Sequence, residues 1–175
     1  MKTVEVTLKG TSALLMHRFP LEPIEAIEKK TKEEQAEIAA YRDPDGELYV
    51  PGVNVQRSLV AAAVYSKGKG RASLQKPVAA CVIVTPERIS LGAKEYEIDS
   101  RAVVMPSTKG RIVRHRPRLD EWSITFCIEW DETLLTEDQI RRVVDDAGAR
   151  VGLLDFRPER KGPFGRSIVT SWEVQ

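Results

Sequence analysis

The residues best suited to chemistry lie in a glycine-rich loop near the end of the chain, at about 152–166. The loop combines cations, glycines and an aromatic ring in its second half: Arg157, Arg160, Lys161, Gly162, Phe164, Gly165 and Arg166. Glycine has no Cβ, so it lets the backbone approach a bulky group or adopt positive φ. Backbone amides and cations hold phosphate oxygens, and an aromatic face stacks on a base. The pattern predicts either a loop that grips a phosphate backbone or a plain surface turn before the last strand.

Positive charge is concentrated in three tracts, 67–76, 101–118 and 157–166. Together they hold 14 of the 27 Lys and Arg residues but only one of the 26 Asp and Glu residues, although the net charge is just +1. A local positive field attracts a polyanion more strongly than the total charge suggests. The tracts predict a nucleic-acid surface, and the alternative is a solvated basic face that has no partner.

The middle tract, 101–118, has the pattern of a basic β-hairpin. Two arms, 101–106 and 111–117, flank a turn at 107–110. The two-residue period of a strand places every second side chain on one face, and the basic residues of the turn and second arm are Lys109, Arg111, Arg114, Arg116 and Arg118. We interpret the face with the last three as a lever against a nucleic acid. Protection of a strand edge by cations is the competing interpretation.

The first tract follows a predicted helix at about 53–65 whose buried stripe contains Val55 and Leu59. Arg57 lies on the other side of this helix, where it can reach solvent or a ligand. The segment after the helix carries Lys67, Lys69 and Arg71 between glycines. It lacks the Gly-x4-Gly-Lys-Ser/Thr spacing of a nucleotide-hydrolysing loop, so it predicts a flexible basic linker or a phosphate contact.

The elements that must position these tracts form an α+β domain over residues 1–175. Alternating or continuous apolar residues predict strands at 2–8, 78–84, 122–130 and 166–174. Helices are predicted at 53–65 and after a capping box at Thr136. The order is that of a ferredoxin-like (RRM-like) βαββαβ core with an inserted charged helix, at about 20–46, and the basic hairpin.

Several classes of protein do not fit the composition. No apolar run is long enough to span a bilayer and no signal peptide is apparent, so we expect a cytoplasmic protein without a membrane partner. The two cysteines, Cys81 and Cys127, lie in apolar runs and predict reduced core thiols. The sequence has only two histidines, and they are far apart from each other. We therefore expect no metal site and no cofactor.

Three features together resemble the RAMP superfamily. The segment Tyr49–Leu59 resembles the superfamily's strand that leads through Pro-Gly into a helix with a basic residue, and Arg157–Arg166 resembles its C-terminal glycine-rich loop. The hairpin at 101–118 falls where backbone subunits of CRISPR effector complexes carry a thumb-like hairpin. The resemblance implies an RNA-binding fold whose copies polymerise along a guide strand. It implies contacts from Arg57, the linker at 67–71, the hairpin and the loop, and a stand-alone relative is equally compatible.

Our leading hypothesis is a non-catalytic subunit that binds the backbone of single-stranded RNA or DNA, as a homo-oligomer or within a multi-subunit ribonucleoprotein. Because some superfamily members cut RNA, a metal-independent RNA endonuclease is the first alternative, with His17 or His115 as the base. A protein-interaction or scaffold module is the second, with the charged segment 23–41 as its docking helix.

Overall fold

The structure is a computed structural model that describes residues 1–21 and 23–175. Glu22, in the predicted insertion, lies outside the described residues. The strands are β1 Lys2–Gly10, β2 Leu14–Leu15, β3 Tyr49–Pro51, β4 Ile83–Thr85, β5 Arg88–Ser90, β6 Glu97–Val104, β7 Arg111–Leu119, β8 Ser123–Trp130 and β9 Ser167–Val174. The helices are α1 Ile24–Glu28, α2 Lys32–Ala39, α3 Gly52–Ala62, α4 Gln75–Cys81 and α5 Glu137–Asp146, with short turns at Ala63–Tyr65, Ala147–Val151 and Pro158–Arg160.

The main sheet has four antiparallel strands in the order β4-β8-β1-β9. Its register places Val4 opposite Ile128 and Val6 opposite Phe126, so the apolar side chains of both strands point to one face. All four are at most 2% exposed. The predicted α+β class is confirmed, because α3 and α5 join this sheet in the same buried core.

Helices α3 and α5 form for reasons that are visible in the sequence. Thr136 and Gln139 make the predicted capping box: the Thr136 hydroxyl accepts from the Gln139 backbone N–H, and the Gln139 side chain accepts from the Thr136 N–H. In α3, Val55 and Leu59 are buried as expected. A Cβ at Gly52 would lie 2.5 Å from the Pro86 carbonyl oxygen, so only glycine lets the start of α3 approach this turn.

The predicted strand at 78–84 is wrong. Its first half belongs to α4, which ends at Cys81, and only Ile83–Thr85 is extended, as the edge strand β4. Strand β5, which follows β4 after a turn, pairs with β3. A short apolar run fits a buried helix as well as a strand, so periodicity alone could not separate them.

A second sheet, in the order β2-β7-β6, contains the predicted hairpin. Its first arm begins earlier than expected, at Glu97, and this residue lies opposite Arg118 at the base of the hairpin. The charged insertion contains two short helices rather than one, because Thr31 caps a separate second helix by accepting from the Glu34 N–H. That helix, α2, packs against β7.

The two cysteines differ in burial. Cys81 is buried, whereas Cys127 is only half-buried, because it alternates with the core residues of β8 and points to the other face of the sheet. Across the described residues, no helix combines the length and apolarity that a membrane span requires.

Candidate nucleic-acid interface

A cleft of about 410 Å³ forms where the N-terminal half of α3 meets the glycine-rich loop. Helix α3 supplies Asn54, Arg57 and Ser58, which share one face because they are three and four residues apart. The loop and the segments before β3 supply the other walls. The lining residues are His17, Tyr41, Asn54, Arg57, Ser58, Gly152, Leu154, Asp155, Arg157, Glu159 and Arg160. The cleft therefore brings together three of the predicted binding residues from two separate parts of the sequence.

The three guanidinium groups of the cleft differ in their availability. Arg157 donates to the Leu154 carbonyl oxygen at 2.8 Å and lies 3.4 Å from a Glu159 carboxylate oxygen. Within the described part of the chain, Arg57 and Arg160 form no ion pair with a carboxylate. Both residues are exposed. These two cations can therefore bind an anion without giving up an existing partner.

At the floor of the cleft, the polar groups of Ser58 and Gly152 form a hydrogen bond with each other. Ser58 is 5% exposed, and its hydroxyl donates to the Gly152 carbonyl oxygen at 3.1 Å. Gly152 has φ of 77° and terminates the helical turn that follows α5. A Cβ at this position would lie 2.6 Å from Pro158. Glycine is thus needed here both for the left-handed backbone and for close packing against the loop.

The two glycines predicted to approach a ligand instead approach the loop itself. A Cβ at Gly162 would lie 1.9 Å from the Phe156 carbonyl oxygen, and one at Gly165 would lie 2.0 Å from the Leu153 carbonyl oxygen. Both glycines are buried. The expected close approach of backbone is present, but its partner is the protein's own main chain.

Phe164 does not offer a free face for a base. Its ring is 6% exposed and lies in a small cluster with Ala13, Leu15 and Phe156. The guanidiniums of Arg101 and Arg118 lie 4.9 Å and 5.4 Å from the centre of the ring. The ring therefore joins the loop to the base of the hairpin, which corrects the surface position implied by a stacking role.

The arginines predicted to form a free row on β7 are mostly neutralised. Arg116 is buried and forms an ion pair with Asp155 of the loop. Arg118 pairs with Asp99 at 3.2 Å and with Asp120 at 2.8 Å. The tract contains no acidic residue in sequence, but the fold supplies carboxylates from its neighbours. The prediction of an unopposed arginine face is therefore wrong for these two residues.

The distal part of the hairpin is exposed and mixes cations with apolar side chains. Lys109 and Arg111 lie at its tip and are exposed, and Val104 and Val113 are 59% and 55% exposed. Arg114 is half-buried nearer the base, and no ion pair involves it among the described residues. The hairpin thus keeps basic groups at its end, where the fold does not neutralise them.

The remaining predicted cations lie away from the walls of the cleft. The linker that carries Lys67, Lys69 and Arg71 follows the C-terminal end of α3. This helix has 11 residues and is about 16 Å long at 1.5 Å per residue, so the linker lies at the end opposite Asn54. Lys161 and Arg166 are exposed on the loop. The three basic tracts therefore do not merge into one uniform groove.

Both histidines line a small pocket beside Arg114, but only His17 also lines the cleft. The ring of His17 lines the cleft, where loss of water lowers its pKa, Arg116 and Arg114 lower it further, and Asp155 opposes them. His115 does not line this cleft, and its Nδ1 lies 2.7 Å from the Ser100 hydroxyl across the hairpin. Only His17 is therefore placed beside the cations of the cleft.

The sequence did not identify Tyr41, Asn54 or Asp155 as site residues. Asn54 precedes Arg57 by three residues, so the helical period was a signal that could have found it. Tyr41 and Asp155 are brought in by the tertiary fold, and nothing in their local sequence marks them.

Other surfaces of the described chain are less suited to binding a nucleic acid or a metal ion. The open face of the main sheet, facing away from α3 and α5, carries Thr, Ser, Glu, Lys, Ile and Cys side chains in β1 and β8 and their partner strands, without an aromatic ring for stacking. Among residues 1–21 and 23–175, no group of three or more His, Cys, Asp or Glu side chains is placed to hold a metal ion.

Comparisons with known proteins give a fold likeness without a family. No protein-family model and no curated protein matches the sequence. A chain of the Type III-B Cmr-beta bound to cognate target RNA, determined by cryo-EM, has a similar fold, with a TM-score of 0.61 at 11% sequence identity. The match covers 99% of this chain and 60% of that chain. At this identity the likeness shows a shared fold, and this protein spans only part of the length of its structural neighbour.

Proposed function

We propose that this protein is a non-catalytic subunit that binds the sugar-phosphate backbone of single-stranded nucleic acid, with RNA as the first candidate. The observation that carries the proposal is the convergence of Arg57 from α3 with Arg157 and Arg160 from the loop on one cleft. Two of these cations have no carboxylate partner among the described residues. The choice of RNA is supported by the structural neighbour, a chain from the structure of the Type III-B Cmr-beta bound to cognate target RNA.

The fold proposed for this function is ferredoxin-like and RAMP-like. The strand order β4-β8-β1-β9, together with α3 between β1 and β4 and α5 between β8 and β9, supports it. A βαββαβ chain of this kind places both helices on one face of the sheet. The hairpin and the glycine-rich loop are then additions at one end of the core.

The experiment compares charge removal inside and outside the cleft. Arg57→Ala/Arg160→Ala removes the two unpaired cations, and Arg142→Ala, a control outside the cleft, removes one exposed cation of α5. We expect the double variant to bind a labelled 12-nucleotide RNA about tenfold more weakly in fluorescence anisotropy, and the control to bind like wild type. Equal affinities for wild type and the double variant would reject the cleft as the binding site.

Self-assembly along the strand is part of the same proposal. The exposed Val104 and Val113 on the hairpin support it, because exposed apolar residues clustered on a protruding element favour a protein contact. Light scattering after size-exclusion chromatography, with and without a 40-nucleotide RNA, tests it. We expect a larger particle with RNA, and a monomer under both conditions would contradict assembly.

One observation favours a second candidate function, a metal-independent RNA endonuclease. His17 lines the same cleft as three arginines, and the lowering of its pKa by loss of water favours the neutral ring that a general base requires. This candidate predicts RNA cleavage in EDTA that is lost in His17→Ala and retained in the control His115→Ala. RNA that stays intact with the wild-type protein would reject it.

The scaffold alternative has less support, because part of the charged insertion that would serve as the docking helix is buried. Helix α2 of the insertion already packs against β7, and Ala36 and Ala39 are buried there. A docking role would have to use the exposed acidic side of this helix. Oligomers that form without nucleic acid and ignore oligonucleotides would favour this alternative.

A further inference from the structure

We propose that the cleft holds one nucleotide whose base is turned out of the strand, and that the Asn54 side chain reads this base. The inference rests on the proposed function and adds a base preference to it. Backbone binding alone would treat all sequences alike, because phosphates carry no sequence information. A base pocket would make one position of the strand selective.

The size of the cleft and the spacing of its polar groups support a nucleotide. A volume of about 410 Å³ lies at the lower end of the usual range for small-molecule sites. Asn54 and Arg57 are three residues apart on α3, so about 4.5 Å of helix rise separates them. A ligand that contacts both must carry a hydrogen-bonding group and an anion within about one helical turn. A nucleotide has this combination.

The walls supply surfaces on which a base can stack. Tyr41 is half-buried, and its ring lies 5.6 Å from that of Tyr49, tilted by 57°. The guanidinium of Arg88 covers Tyr49 from 5.6 Å. Tyr41 is therefore held in place before any ligand binds, and aromatic rings held in this way stack well on unpaired bases.

Asn54 is an uncharged group of the cleft that has hydrogen-bonding capacity to spare. Its amide has two donors and one acceptor, and it lies beside the Tyr41 hydroxyl. Ser58, by contrast, donates to Gly152, and Asp155 is engaged by Arg116. An amide can pair with two neighbouring groups on the edge of a base, which an arginine contact with phosphate does not do.

The test uses five labelled ten-nucleotide strands: one fully abasic strand, and four abasic strands with a single central A, C, G or U. We expect one of the four to bind about tenfold more tightly than the abasic strand, the gain typical of one stacked base. In Asn54→Ala the four bases should bind within about twofold of one another. Asn54→Asp keeps the size of the side chain and should alter the order of preference.

The outcomes separate this inference from the proposed function. If all five strands bind equally, the base pocket is rejected and backbone binding stands. If a preference survives unchanged in both Asn54 variants, the reading role of Asn54 is rejected. If no strand binds at low salt, the proposed function fails and the inference falls with it. Thermal melting of each variant confirms that the compared proteins are folded.

Discussion

Arg116 of the hairpin and Asp155 of the glycine-rich loop lie 39 residues apart in sequence and form an ion pair that joins these two elements. The Arg116 side chain is 7% exposed and that of Asp155 29% exposed. A buried arginine requires a compensating charge, since removing its partner leaves an unpaired ion in a medium of low polarity. The pair therefore fixes the loop, and with it one wall of the cleft, against the base of the hairpin.

We predict that Asp155→Ala lowers the free energy of unfolding by about 2–3 kcal/mol, less than a fully buried pair because Asp155 is partly exposed. Urea denaturation measures this loss. Asp145→Ala, which breaks the exposed pair with Arg141, is the matched control and should cost less than about 1 kcal/mol. Equal losses in the two variants would show that the Arg116–Asp155 pair does not hold the loop.

Phe164→Ala should destabilise the protein by about 3–5 kcal/mol, because it leaves a cavity beneath Arg101 and Arg118. Chemical denaturation measures the loss, and oligonucleotide affinity is then measured on the folded fraction. The folded variant should bind nearly as well as wild type. A variant of unchanged stability that binds more weakly would instead support base stacking on this ring.

Asp99 should contribute an acid-sensitive part of the stability. Hydrogen bonds from Arg101, and then from Arg118, lower the pKa of this carboxyl below its ordinary value. Its contribution is therefore fully present above the unfolded pKa of about 3.9 and is lost as the pH falls through the lower folded pKa. Between pH 6 and pH 2, the unfolding free energy of wild type should fall more than that of Asp99→Asn. Parallel curves would contradict this role.

The linker at 67–71 provides a test of where the interface ends. Because it lies at the far end of α3 from the cleft, Lys69→Ala/Arg71→Ala should change the affinity for a 12-nucleotide RNA less than twofold. The same double charge loss in Arg57→Ala/Arg160→Ala should cost about tenfold. If the two double variants weaken binding equally in fluorescence anisotropy, the bound strand extends beyond the cleft.

Much of the core could be predicted because the sequence patterns that specify its strands and helices are local. The alternation of β8 and the capping box at Thr136 each specify an element within about ten residues, and the hairpin arms follow from their turn. The segment 78–84 could not be assigned, since α4 and β4 divide an apolar run that suits either structure. The pairing of β3 with β5 depends on tertiary contacts that no local pattern shows.

The site was predictable only in part, for a physical reason. Charge segregation pointed to Arg57, Arg157 and Arg160, and these do meet at the cleft. It also pointed to Arg116 and Arg118. The carboxylate that neutralises Arg116 belongs to Asp155, 39 residues away, whereas Asp120 lies two residues after Arg118, just outside the tract. A basic tract in sequence records the cations but not the acids that the fold places beside them.

The dependence of RNA affinity on salt tests the central claim most directly. With about four phosphates neutralised at the cleft and its rim, a slope of about −0.7 per phosphate predicts that affinity for a 12-nucleotide RNA falls about 50-fold between 50 and 200 mM salt. Fluorescence anisotropy titrations at several salt concentrations give this slope. An absence of binding at 50 mM, or an affinity that does not change with salt, would contradict the claim that the cleft binds a nucleic-acid backbone.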